Sequence, residues 1–184
     1  GVVASLGALT DSDFGTVTYD NTGDQDIVSD TYVNLIAGGG AGTKTLGGAV
    51  TVSGAFTTNA SVTTAMGANN LTVAGATVIN GAVTITTATL DANGSFDATG
   101  GTITITGAGN LNLEGVVTSL GALSDGAGTV TYDANGDQTI LKDDYYSLIA
   151  GGGAGIKTLA DTVNVAGDFT TDASVTTAMG ANNL

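Results

Sequence analysis

The 184-residue chain has no cysteine, proline, histidine, tryptophan or arginine, and its only cationic side chains are Lys44, Lys142 and Lys157. Without cysteine there is no disulfide, no thiolate nucleophile and no thiolate metal site, and redox compartment leaves no mark on the composition. Without histidine or arginine, catalysis would have to come from Asp, Glu, Lys, Ser, Thr or Tyr alone. Paired carboxylates cleave glycosidic bonds in some β-helical enzymes, but here the acids fall in loops and no strand pattern carries a singular polar constellation. We expect no enzymatic activity.

Seventeen carboxylates against three lysines leave a net charge of −14. Such a surface repels nucleic acid, because neutralising phosphates requires a Lys/Arg footprint. It disfavours anionic membranes for the same reason. No apolar run has the length that spans a bilayer, so no membrane insertion is expected. Sixteen of the acids are Asp and one is Glu114, a bias that suits turns between strands better than a charged helix surface.

What the chain has is repetition. Gly15 to Leu71 aligns with Gly128 to Leu184 at a constant offset of 113, with 41 of 57 positions identical. A shorter period runs inside it. Apolar residues recur at Val17, Leu35, Val50, Leu71, Leu90, Leu111, Val130, Leu148 and Val163, in steps of 15 to 21 residues. Two residues after each comes another apolar or aromatic residue, which is the in-out-in alternation of a half-buried strand. Four residues after, glycine stands in seven of nine cases (Gly39, Gly54, Gly75, Gly94, Gly115, Gly152, Gly167), marking a sharp corner where φ > 0 is expected. Asn34, Asn70 and Asn110 precede three of the starters, placed to form a ladder of side-chain bonds.

A strand, a corner and a coil of about 19 residues predict a parallel β-helix, or β-solenoid, running as one continuous body over residues 1–184 with two or three faces per coil. Nine coils would give a rod on the order of 40 Å long. Further strands are expected at Ala55 to Thr58, Ser61 to Ala65, Ala82 to Thr87 and Thr102 to Thr106. The alternative is a tandem array of β-sandwiches with units of 113 residues. Gly1 aligns with Gly115 and Leu184 with Leu71, so both ends cut the repeat in mid-pattern without capping coils. This is expected of an excerpt from a longer repetitive protein, the preferred reading, or of subunits that stack end to end.

Several motifs bear on function. Asp20, Asp24 and Asp26 in DNTGDQD, with Asp133 and Asp137 in DANGDQT, offer oxygen ligands around a glycine. Ca²⁺ is the cofactor such a set would take; the spacing fits neither an EF-hand nor a nonapeptide calcium roll, and turn formation is the simpler reading. AGGGAG at Ala37 to Gly42 and Ala150 to Gly155 is followed two residues later by Lys44 and Lys157, one residue too far along and on a strand, unlike a phosphate loop. Tyr32, Tyr145 and Tyr146 would form an adhesive patch if exposed, but core packing is the expectation. Threonine-rich strands raise ice binding, yet the outward position after each starter holds Thr in only four of nine cases.

The series GTVTYD, GDQ, YYSLIAGGGAGIKTL and VNVAGDFTT resembles the very large β-strand-repeat proteins secreted to bacterial surfaces, in the style of filamentous-haemagglutinin and autotransporter-like adhesins. The resemblance implies an extracellular, cell-surface parallel β-helix serving a fibre, sheath or stalk, or an adhesin segment that binds a glycan or host surface. The partners it implies are other copies, through end-to-end or lateral contacts, and a glycan or cell surface.

Overall fold

A computed structural model describes residues 3–7 and 15–184. It is a β-solenoid: every strand is parallel to its neighbours and no helix occurs among the described residues. Alternation makes the strands. In Val62–Gly67, for example, Val62, Thr64 and Met66 are buried while Thr63 and Ala65 between them are half-exposed. Three strands make one turn, so the cross-section has three faces.

The first face stacks Thr16–Tyr19, Asn34–Ala37, Phe56–Thr58, Thr77–Ile79, Phe96–Asp97 and Val117–Ser119. The second stacks Gln25–Ile27, Gly42–Leu46, Val62–Gly67, Ala82–Ile85, Thr102–Ile105 and Ala122–Ser124. The third alone runs through eight strands, from Thr31–Tyr32 through Val50–Val52, Leu71–Val73, Thr89–Ala92, Asn110–Leu113, Thr129–Tyr132 and Ser147–Ala150 to Phe169–Thr171. Beyond the sixth turn the other two faces resume as separate sheets, Gln138–Ile140 with Gly155–Leu159 and Val175–Ala178, and Asp144–Tyr145 with Asn164–Val165.

The described residues therefore make eight turns, one per strand of the longest sheet, where nine starters predict nine coils. The difference lies in the two 15-residue steps. Val17 and Leu35 pair on the first face, whereas Val50 to Leu148 are successive rungs of the third. Leu35 to Val50 spans two strands, two-thirds of a turn, and Leu148 to Val163 does the same. The long repeat inherits this phase: Thr16–Tyr19 is the first strand and its equivalent Thr129–Tyr132 the eighteenth, 17 strands later, which is five turns and two-thirds. The second copy sits on the rod rotated to a different face. The relation of residues 1–14 to the stretch from Gly115 lies largely outside the described residues.

At four of the seven corners glycine is present for a reason other than the expected positive φ. Gly54, Gly75, Gly94 and Gly115 form one column in which a Cβ on each of the last three would overlap the carbonyl oxygen of the glycine below. None of the four has positive φ. Close approach of coil on coil excludes the side chain. Nor do the asparagines bond to one another: Asn34 Nδ2 donates to Gly15 O at 3.1 Å and its Oδ1 accepts from Ala55 N at 2.9 Å, while Asn70 Oδ1 accepts from Thr89 N at 2.9 Å. They join the backbones of adjacent turns.

The interior is apolar, with Phe56, Phe96, Leu71, Leu90 and Leu111 fully enclosed. Comparing the two copies shows what the sequence protects. In Gly15 to Leu71 sixteen residues are buried, and all sixteen are identical in the second copy; the sixteen positions that differ are all outside the buried set.

Candidate functional site

The acidic loop and the glycine loop form one assembly. Residues 38–41 lie directly on residues 20–23 of the turn below, so that a Cβ on Gly39 would overlap the carbonyls of Asp20 and Asn21, and one on Gly42 would fall 2.6 Å from the carbonyl carbon of Gly23. Gly39 and its equivalent Gly152 do take left-handed backbone, at φ 89° and 90°. Behind the loop, Lys44 points inward and is fully buried, its Nζ donating to Asn21 O at 2.6 Å and Gly23 O at 2.7 Å. Lys157 repeats this on Ala134 O and Gly136 O, at 2.7 and 2.9 Å. Burial pulls the Lys157 ammonium below the usual lysine range, opposed by Asp133 and Asp137. The motif is the inverse of a phosphate cradle, an enclosed cation gripping backbone carbonyls.

The carboxylates of these loops act on the backbone. Asp24 Oδ1 accepts from Thr43 N and Asp137 Oδ1 from Ile156 N, each at 2.8 Å, tying one turn to the next. Among the described residues no group of three or more acidic side chains converges to hold a metal ion, those of Asp20, Asp24, Asp26, Asp133 and Asp137 included.

Tyrosines form interior clasps. Tyr19 and Tyr32 meet hydroxyl to hydroxyl at 2.8 Å with rings edge to face; Tyr32 donates to Val28 O at 2.6 Å and Tyr19 accepts from Val28 N at 3.0 Å. Tyr132 and Tyr145 repeat the arrangement around Leu141. Burial raises Tyr132 to about 12 and pushes Tyr32 and Tyr145 higher still. Tyr146, 42% exposed, stays outside.

Two surface features remain. One is the second face, whose outward positions from Gly42–Leu46 to Ala122–Ser124 are Thr43, Thr45, Thr63, Ala65, Ala82, Thr84, Thr102, Thr104, Ala122 and Ser124, in register from turn to turn. These ten positions carry no charge on a chain of net −14. The other is a seam between the sixth and seventh turns. There Val117–Ser119 and Ala122–Ser124 have no strand above them and Gln138–Ile140 and Asp144–Tyr145 none below.

The seam is bridged by the third face and by a few bonds. Gln138 Nε2 donates to Leu113 O at 2.7 Å and Gly115 O at 2.9 Å, and Tyr146 N donates to Asp125 Oδ2 at 2.6 Å. It opens on the surface as a cleft of about 570 Å³ lined by Glu114, Val116, Val117, Asp137, Leu141 and Ile156, and a second of about 400 Å³ beside Asp125, Asp144 and Tyr146. Burial raises the carboxyls of Asp125, Asp133 and Asp143 above the usual carboxylate range.

The starter spacing hid both features, because it tracked one inward column and changed face without notice. The buried lysines carried a signal, since Lys44 and Leu46 share the inward parity of TKTL. No protein-family model, curated protein or solved structure matches the chain.

Proposed function

We propose that the chain is a stiff, acidic β-solenoid segment of an extracellular structural protein, a spacer in a surface fibre, sheath or stalk that associates with further copies. The observation that carries this reading is the division between the two copies: every buried residue of the first is kept in the second, and every difference lies outside that set. A duplication constrained in this way preserves a packed interior and leaves the surface to drift, as a scaffold requires and a duplicated binding site does not. The adhesin alternative drew on exposed aromatics, and Tyr146 is the exposed aromatic among the described residues. The extracellular placement rests on the resemblance of repeat style.

The test is to append further 113-residue units and measure the particles by electron microscopy or small-angle scattering. Each unit should lengthen one continuous rod by roughly 27 Å, five and two-thirds turns at about 4.8 Å. Beads that rotate independently about linkers would reject the reading.

The uncharged run of the second face from Gly42–Leu46 to Ala122–Ser124 favours a second reading, recognition of a crystalline surface such as ice. Its hydroxyls and methyls form a grid of about 4.8 Å between turns and about 6.6 Å along each strand, a regular repeat of the kind an ordered crystal surface presents. The chain should then shape ice crystals and hold their growth below the melting point, and Thr63→Asp with Thr104→Asp should abolish this. Unshaped crystals in the unaltered chain would dismiss it.

A further inference from the structure

We propose that the seam on the first face is an acceptor for an extended, apolar peptide strand flanked by lysine or arginine, contributed by a different protein. Four independent observations meet there. First, Val117–Ser119 pairs on one side only, with Phe96–Asp97, and Gln138–Ile140 on one side only, with Gly155–Leu159. Each presents a free sheet edge, and an open edge binds extended chains through main-chain hydrogen bonds. Second, the step between them is a cleft of about 570 Å³, within the range of roughly 300–1,000 Å³ that buries a ligand. Third, its apolar lining is exposed: Val116 is 74% and Ile156 44% accessible, two of the five large apolar residues so exposed among the described residues.

Fourth, the rim is acidic and no lysine lines it; the enclosed Lys157 acts on Asp133 and Asp137 only from behind the loop. Glu114 and Asp137 line the cleft, and the carboxyl of adjacent Asp133 is held up by burial and then by the charges of Asp91 and Glu114. Lys44 and Lys157 are enclosed on carbonyls, and Lys142 lies 3.4 Å from Asp161. A second copy therefore brings a large net negative charge and, among its described residues, a single exposed lysine, Lys142, already beside Asp161. The occupant is a partner that supplies positive charge at the ends of a short strand and alternating apolar side chains between, which fill the cleft beside Val116 and Ile156. Such a site would tether another molecule to the side of the rod, a role beyond that of spacer and independent of it.

The experiment uses the whole chain and a fluorescein-labelled heptapeptide, Lys-Val-Thr-Val-Thr-Val-Lys, titrated by fluorescence anisotropy at low salt. Saturable binding is expected, weakened at least tenfold by Val116→Asp with Ile156→Asp, weakened by Glu114→Gln, and lost when glutamates replace the peptide's lysines. Val116 and Ile156 are exposed, so circular dichroism of the double variant should match that of the parent; if it does not, Glu114→Gln alone decides. Amide shifts on binding should centre on Val117–Ser119. No saturable binding, equal binding by the glutamate peptide, or indifference to the substitutions overturns the proposal. Concentration-dependent dimerisation abolished by the same substitutions overturns it in favour of self-association.

Discussion

A lysine ammonium inside a β-solenoid must find oxygen, and Lys44 and Lys157 find it in carbonyls that the acidic loops leave pointing inward. Removing the ammonium strands two buried acceptors. Lys44→Met should cost about 2–4 kcal/mol of unfolding free energy in urea, whereas Lys142→Met, which touches only an exposed ion pair, should cost about 0–1 kcal/mol. Equal losses would show that Lys44 does not organise the loop. Asp125 works differently. Its native carboxyl is raised, so the folded state holds its proton to higher pH than the unfolded chain does. The cost of its ionisation is felt at neutral pH and withdrawn as pH falls through the raised value towards 3.8, and Asp133 and Asp143 act in the same sense. Asp161, exposed, and Asp97, half-exposed, shift the other way and carry little weight. Melting temperature should rise on mild acidification from pH 7, and Asp125→Asn, which keeps an acceptor for Tyr146 N, should raise it at pH 7 and flatten that rise. A steady fall from pH 7 in the unaltered chain would contradict this.

At the scale of strands and corners, the glycine column turns coil spacing into a steric requirement. Gly94→Ala should destabilise by about 1–3 kcal/mol, since the new methyl overlaps the Gly75 carbonyl and only a local parting of the turns relieves it. Gly67→Ala, where a Cβ meets nothing, is limited by its left-handed φ of 60° alone. Similar melting of the parent and Gly94→Ala would remove the column from the packing argument. Alternation and corner glycines made the solenoid legible in the sequence, and the strands expected at residues 55–58, 61–65, 82–87 and 102–106 appear at Phe56–Thr58, Val62–Gly67, Ala82–Ile85 and Thr102–Ile105. What stayed illegible was azimuth. A step of 15 and a step of 19 look alike in a list of apolar residues, yet one moves two faces on and the other returns to the same face. The seam and the threonine grid depend on knowing which face each strand occupies, so neither was visible until the turns were closed.

At the scale of the whole rod, two copies of one sequence lie 17 strands apart on a body with three strands per turn. Equivalent outer positions of the two copies therefore point in directions about 120° apart, separated along the axis by roughly 27 Å. Bivalent attachment gains avidity only when both sites reach their targets together. A flat target meeting this rod along its length can engage a given surface from one copy, never the same surface from both. Two targets flanking a corner can each engage one. Attachment through equivalent positions of both copies would, by the phase of the repeat, link two neighbours rather than clamp a single plane.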